Sequence, residues 1–300
     1  MSRKNLCVLK SSVFFALEMK FSFILVLISI VIFINIIDQF KNHKTIVFLQ
    51  KIQKKNKINT VLQLKQNKKA QIYSYSIIDM VYVINLKHRI DRRASIEKTL
   101  KQMNFNFEII EGINPRDEKY NYLIKDCFDD HSCPGQVGCQ YSHLFVLNQS
   151  LQKQYSVVAI FEDDFILQPF VDPTYVNKML LETSNMIPDW DVIALSLNIY
   201  SEILLNQYVN FSQTFVSQLS QITGAQTTGG YILKKTIIPH VYNSFLNCNV
   251  KKDYQTAIDQ CWKHLQTNPS YKWIGYEPQP GTQVKSYSDI EQHETNYGLT

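Results

Sequence analysis

From Met80 onward, short apolar runs rich in β-branched and aromatic residues alternate with stretches whose apolar residues recur at helical spacing. That alternation restricts the fold more than any other feature of the chain. "MVYVINL" (80–86) reads as a strand, and "KHRIDRRASIEKTLKQM" (87–103) sets Ile96, Leu100 and Met103 at helical spacing. "FEIIEG" (107–112) reads as a second strand, the segment from Gly135 as a helix with Val137, Tyr141, Leu144 and Leu151 on one side, and "YSVVAIFEDD" (155–164) as a third strand. A helix within 172–186, strands in "DWDVIALSL" and "TGGYILKK", and helices at 236–246 and 253–266 continue the pattern. It predicts an α/β domain with an open, mostly parallel sheet and flanking helices, a fold that binds ligands beyond the carboxyl ends of its strands.

Two unusual stretches fall at such ends. "VVAIFEDDFI" (157–166) sets Glu162, Asp163 and Asp164 side by side where a buried strand finishes. Like charges repel at that range and burial raises their cost, so the stretch is expected to have a cation or a positively charged ligand nearby. An acidic solvated turn is the alternative reading. "NLKHRIDRR" follows the first strand, with Arg89, Arg92 and Arg93. Forked guanidinium donors suit a diphosphate, and carboxylate oxygens suit Mg²⁺ or Mn²⁺, so a phosphate-bearing ligand with a divalent metal would use both stretches. Alone, the arginines also fit a solvated helix start with Asp91 as its N-cap.

The N-terminal quarter has a different character. Phe21–Ile37 is an uncharged apolar run bounded by Lys20 and Asp38, close to the lower limit for a membrane span. No small-residue cleavage site follows it, which favours a retained anchor over a cleaved signal. Residues 41–69 hold nine lysines and no acid and read as a basic stem. The expected organisation is a tail (1–20), a transmembrane anchor (21–38), a stem (39–78) and a catalytic head (79–300). The charge divides accordingly, at +11 over residues 1–78 and −6 over the head, which argues against nucleic acid as a partner of the head. With 45% hydrophobic residues over 300, the chain can bury a sizeable core.

The strings "VYVINLKHRIDRR", "GQVGCQYSHLFVL", "VAIFEDDFIL", "DWDVIALSL" and "TGGYILKK" occur in the order and rough spacing of the family 25 glycosyltransferases, and this chain resembles them across most of its head. The resemblance implies a GT-A-like fold, a UDP-sugar donor (of galactose or a related hexose), a glycan or protein acceptor, and transfer with inversion. It implies that Asp164 is the direct ligand of Mn²⁺ (or Mg²⁺), that Asp163 reaches the metal or the ribose, and that Glu162 is a more peripheral member of the metal site. It sets Asn85, Arg89 and Arg92 in the nucleotide pocket and the Ser142–His143 pair near the donor. Gly229 and Gly230 would allow close approach to the sugar, and Asp259 in "TAIDQCW" would lie on the acceptor side.

Glycosyl transfer also needs a base for the acceptor hydroxyl, for which Asp259 and Asp191 are the candidates; "PDWD" around Asp191 is equally an ordinary turn. His143 also fits a plain hydrogen-bonded helix residue. No CxxC pair occurs among Cys127, Cys133, Cys139, Cys248 and Cys261, so a zinc site is not expected, while an oxidising compartment would allow two disulfides and leave one thiol. Asn148 and Asn210 begin N-x-S sequons. The lysines after the span favour a cytosolic head, but the enzyme class favours a single-pass Golgi or ER protein with a lumenal head, and that is the expectation adopted. Two other classes stay open: a metal-dependent phosphoryl-transfer or hydrolytic enzyme, and an inactive, membrane-tethered sugar-nucleotide- or glycan-binding protein.

Overall fold

The computed structural model describes residues 76–125, 127, 132–248 and 257–295. The expected anchor, and all but the last three residues of the expected stem, lie outside the described residues; among those described, no helix is long and apolar enough to cross a membrane. The core is a six-stranded sheet in the order β2-β1-β3-β6-β5-β7. β1 (Met80–Asn85) runs parallel to both β2 (Phe107–Glu111) and β3 (Val157–Glu162). β5 (Val192–Asn210) is parallel to β7 (Trp273–Glu277), and β6 (Val216–Lys234) runs antiparallel to β3, β5 and β7. The mostly parallel sheet expected from the sequence is thus present with one reversed strand. The reversal follows from the β5–β6 hairpin, whose strands were expected to end near Leu197 and begin near Thr228 but instead extend to 19 residues each.

Side-chain alternation along β3 decides what each end residue faces. Val157, Ala159 and Phe161 join the core cluster that includes Ile96 and Leu100 of α1 (Ile90–Gln102) and Val176, Met179 and Leu180 of α3 (Val176–Met186). Val158 and Ile160 are fully buried on the other face, and Glu162 continues their parity. That face carries α2 (Cys133–Lys153) and α4 (Ile238–Leu246), tied together by Gln140 Nε2, which donates to Phe245 O at 2.7 Å and Cys248 O at 2.9 Å. The expected helix at 253–266 appears in its described part as two short pieces, α5 (Ile258–Cys261) and α6 (Lys263–Gln266). Trp262 between them packs edge-on against Tyr231 and Trp273, with ring centroids 5.1 and 5.0 Å away.

The chain leaves β1 outward to β2 and returns across β1 to β3, so the direction of winding reverses between β1 and β3. In an open α/β sheet that crevice is where a ligand binds. Its floor is closed by β4 (Phe165–Leu167) pairing with β8 (Gly281–Gln283), which brings the C-terminal segment back over the strand ends.

Helix α2 is seated against the segment leaving β2 through Gly138, where a Cβ would overlap Ile113 O and meet Pro115 Cδ at 2.8 Å. One turn on, Ser142 Oγ accepts from Ile113 N at 2.8 Å and donates to Gly138 O at 2.7 Å. Alanine is the better helix former by about 1 kcal/mol, but this backbone overlap outweighs that gain. Gly138→Ala is therefore expected to lower stability by about 1–2 kcal/mol net. Urea unfolding would show it as a lower midpoint at unchanged slope, and an unchanged midpoint would mean that α2 does not rest on this contact.

Candidate functional site

Arg92, in the first turns of α1, reaches over the strand ends. Its Nη1 donates to Asp163 Oδ1 at 3.0 Å and Asp164 Oδ2 at 3.2 Å, while Nη2 donates to Ser286 Oγ at 2.6 Å and Tyr287 O at 2.9 Å. One guanidinium thus binds two adjacent carboxylates to the C-terminal segment. Asn85, the last residue of β1, donates from Nδ2 to Asp163 Oδ2 at 2.7 Å and to Arg89 O at 3.0 Å. Arg89, half-buried like Arg92, pairs instead with Asp289 at 2.6 Å and with Asp91 at 3.3 Å. Asp91 is therefore not the helix N-cap, a position that Arg89 holds.

Glu162 is held separately, as its parity dictates. Its Oε1 accepts from Thr228 Oγ1 at 2.5 Å and lies 3.3 Å from His143 Nε2, and its Oε2 accepts from Gln283 Nε2 at 3.2 Å. Gln283 also donates to Asp164 Oδ1 at 3.2 Å and so bridges the two carboxylates. His143 is fully buried and its Nδ1 is 2.7 Å from Tyr231 OH. Gly229 makes room for Gln283: a Cβ there would meet Gln283 Cγ at 2.7 Å. Gly230 does the same for Phe161 and Phe165. Gly229 thus makes room for a residue of the cleft wall and Gly230 for two core aromatics, where the resemblance set both glycines beside a sugar. The strand is irregular here, and Thr227 adopts φ 63°, costly for a β-branched residue, with its N–H donating to Asp259 Oδ2 at 2.8 Å.

These groups line a cleft of about 340 Å³ whose walls include Arg92, Ser142, His143, Glu162, Asp163, Asp164, Gln283 and Tyr287. Of the residues singled out in sequence, Arg92, Ser142, His143 and the three carboxylates line it, Asn85 supports it from behind through Asp163, and Arg89 supports its rim through Asp289. Asp259 lies beside the irregular part of β6, and its Oδ1 is buried without a hydrogen-bond partner among the described residues. Asp191 is elsewhere. It precedes β5 at the opposite end of the sheet, and its carboxylate is occupied by Lys272 N at 2.9 Å and Thr236 Oγ1 at 3.4 Å. Gln283, Thr228, Tyr231, Ser286 and Asp289 were not foreseen. Uncharged segments such as "PGTQV" carry no pattern that marks them, and only chain return through β8 brings Gln283 to the site.

The electrostatics follow from three acids sharing one close arginine. Burial pushes the Asp164 carboxyl up to about 7, with Glu162 and Asp163 adding to the rise against Arg92. Burial also raises Asp163, a rise that Arg92 and Asn85 only partly offset. For Glu162 burial acts upward too, but His143 and Thr228 outweigh it and hold the group below its ordinary value. Excess negative charge on all-oxygen donors is what Mn²⁺ or Mg²⁺ binds, so the residues fit such a cation, and all three carboxylates line the cleft.

In the metal-free protein, the folded state keeps a proton on Asp164 between the ordinary aspartate value of about 4 and about 7, where the unfolded chain has lost it. Stability therefore falls as pH rises through that window. Glu162 and Asp289 are depressed, so their contributions are lost only in more acidic solution. With chelator present, unfolding midpoints should drop more between pH 5 and 8 for the wild type than for Asp164→Asn; parallel profiles would contradict this account of the cluster.

The sequence matches the family model described as "Glycosyltransferase family 25 (LPS biosynthesis protein)" over residues 78–262. A procollagen galactosyltransferase 1-A of Xenopus laevis is 29% identical over 129 residues, covering 39% of this chain and 21% of that protein. A lipooligosaccharide biosynthesis protein lic2B of Haemophilus influenzae is 21% identical over 203 residues, covering 64% of this chain and 72% of the other. The matched part thus amounts to about a fifth of the length of the procollagen enzyme. Among solved structures, a glycosyltransferase involved in the glycosylation of the major capsid of PBCV-1 overlays 71% of this chain and 95% of its own, at a TM-score of 0.40 and 11% identity.

Proposed function

The chain belongs to glycosyltransferase family 25 and is a glycosyltransferase, and from that premise we propose that it moves a hexose from a UDP-sugar to a hydroxyl of a glycan or protein, with inversion and dependence on a divalent cation. The observation that carries the reading is the Arg92-bound carboxylate cluster opening on a cleft at the winding reversal between β1 and β3. Asp164 and Asp163 would hold Mn²⁺ or Mg²⁺, which when bound supplies positive charge to the diphosphate leaving group. Arg92 keeps both acids aimed into the cleft and adds a cationic edge toward the same phosphates. Asn85 fixes Asp163, Gln283 fixes Asp164, and Glu162 is held beside them by His143, Thr228 and the same Gln283.

Asp259 is the proposed base. One of its oxygens is anchored by Thr227 N–H and the other is buried without a hydrogen-bond partner among the described residues, so in this role it would take the proton of an acceptor hydroxyl that reaches it past the irregular part of β6. Asp191, committed to Lys272 and Thr236, is given no chemical role. The proposed setting is a membrane-anchored protein with its head in the lumen of the Golgi or ER. The two disulfides, Cys127–Cys133 and Cys248–Cys261, which leave Cys139 free as the fifth head cysteine, support that setting.

The test supplies the purified chain with Mn²⁺ and a panel of UDP-sugars and reads UDP release with and without glycan or peptide acceptors. Acceptor-dependent UDP release is expected from one sugar, abolished by Asp164→Ala and lowered about 10²–10⁴-fold in kcat by Asp259→Asn. No UDP release from any donor would sink the reading, and phosphate release without acceptor would favour a hydrolase. For the setting, Asn210 is exposed at the end of β5 while Asn148 lies within α2. Peptide mapping of chain made through a secretory pathway should find a glycan on Asn210 and none on Asn148; an unmodified Asn210 would argue for a cytosolic head.

A further inference from the structure

Cys139 has no role in the account above, yet it is placed unlike an ordinary helix cysteine. It lies one turn before His143 on α2, on the same helical face, and both line the cleft. Opposite them stands Glu162 at the end of β3. The Cys139 thiol, a His143 ring nitrogen and a Glu162 carboxylate oxygen all lie within 4.8 Å of one another. Two tetrahedral ligands at Zn–S and Zn–N bond lengths stand roughly 3.5 Å apart. His143 Nε2 and Glu162 Oε1, at 3.3 Å, are already at that spacing, and the Cys139 thiol lies within 4.8 Å of both side chains' ligand atoms.

From this geometry we propose that Cys139, His143 and Glu162 form a binding site for a single thiophilic divalent cation of the Zn²⁺ class, separate from the all-oxygen donors Asp163 and Asp164. Three features beyond proximity support it. The set combines sulfur, imidazole and carboxylate, which select Zn²⁺ or Co²⁺ over Mn²⁺ and Mg²⁺. His143 is held through its other nitrogen by Tyr231 OH at 2.7 Å, the outer hydrogen bond that orients metal-ligating histidines. Thr228 and Gln283 likewise fix the Glu162 carboxylate. Three protein ligands beside an open cleft leave a fourth position for water or a ligand atom. On binding, Cys139 enters as the thiolate and its proton passes to solvent. The sequence hid the set because its ligands are an i, i+4 helix pair and a distant strand end, with no CxxC.

The test is independent of sugar transfer. Under non-reducing conditions, Co²⁺ is titrated into the full chain carrying Cys7→Ser, which leaves Cys139 as the free thiol beside the two disulfides. A thiolate-to-cobalt charge-transfer band that saturates at one equivalent is expected. It should be lost in Cys139→Ser, retained in Asp164→Asn, and require at least about tenfold more Co²⁺ in Glu162→Gln. Zn²⁺ should also slow alkylation of Cys139 in the wild-type chain, read by peptide mass, where equal Mn²⁺ does not. Absence of the band, its persistence without Cys139, its loss in Asp164→Asn, an unchanged titration in Glu162→Gln, or equal protection by Mn²⁺ would each overturn the site.

Discussion

Everything at the ligand end of this molecule depends on how one half-buried arginine, Arg92, shares its charge. Arg92 lies between Asp163 and Asp164 with its second nitrogen bound to the C-terminal segment, so the carboxylates, the start of α1 and the returning chain are fixed by one planar group. The pairing is incomplete by construction. Three acids and one close arginine leave net negative charge in a place with little water, and Asp164 shows the result in its raised affinity for a proton. A site that binds a proton so readily is also prepared to bind a cation in its place.

The sheet gives this chemistry its direction. Alternation along β3 turns Glu162 toward α2 and its neighbour Asp163 toward α1, so three consecutive acids become two separate half-sites. Asp163 and Asp164 share Arg92 and offer only oxygen. Glu162 joins His143 and Cys139, where nitrogen and sulfur are also present. A difference of one residue along a strand, which reverses the face, therefore separates an all-oxygen donor set from a mixed one, the basis for proposing a different cation at each.

Much of this was legible in the sequence, and the reasons differ by element. The strands at 80–85 and 157–162 are nearly continuous apolar runs because both faces are covered, and the charged groups at and just beyond their ends are conspicuous for that reason. Arg92, Asp163 and Asp164 stood out through that contrast, whereas Asn85 was named only through the family resemblance. The long hairpin was not, because polar and apolar residues mix along 198–222, and its Tyr200, Ile203 and Tyr208 are exposed in the fold. Gln283 and Ser286 were invisible for another reason: nothing local distinguishes them, and the β4–β8 pairing that delivers them joins residues more than 100 apart. Asp191 erred in the opposite sense, since an acid before a strand looks the same at either end of a sheet until the strand's direction is known.

The central claim is that Asp163 and Asp164, held by Arg92, bind a divalent cation together with the diphosphate of a nucleotide. Its most direct measurement is a titration of Mn²⁺ followed by electron paramagnetic resonance, with the wild-type chain and Asp164→Asn, each with and without UDP. The account predicts one bound Mn²⁺ whose affinity rises when UDP is added, and at least about a tenfold loss of that affinity in Asp164→Asn. Equal Mn²⁺ binding by both proteins, or binding indifferent to UDP, would contradict it.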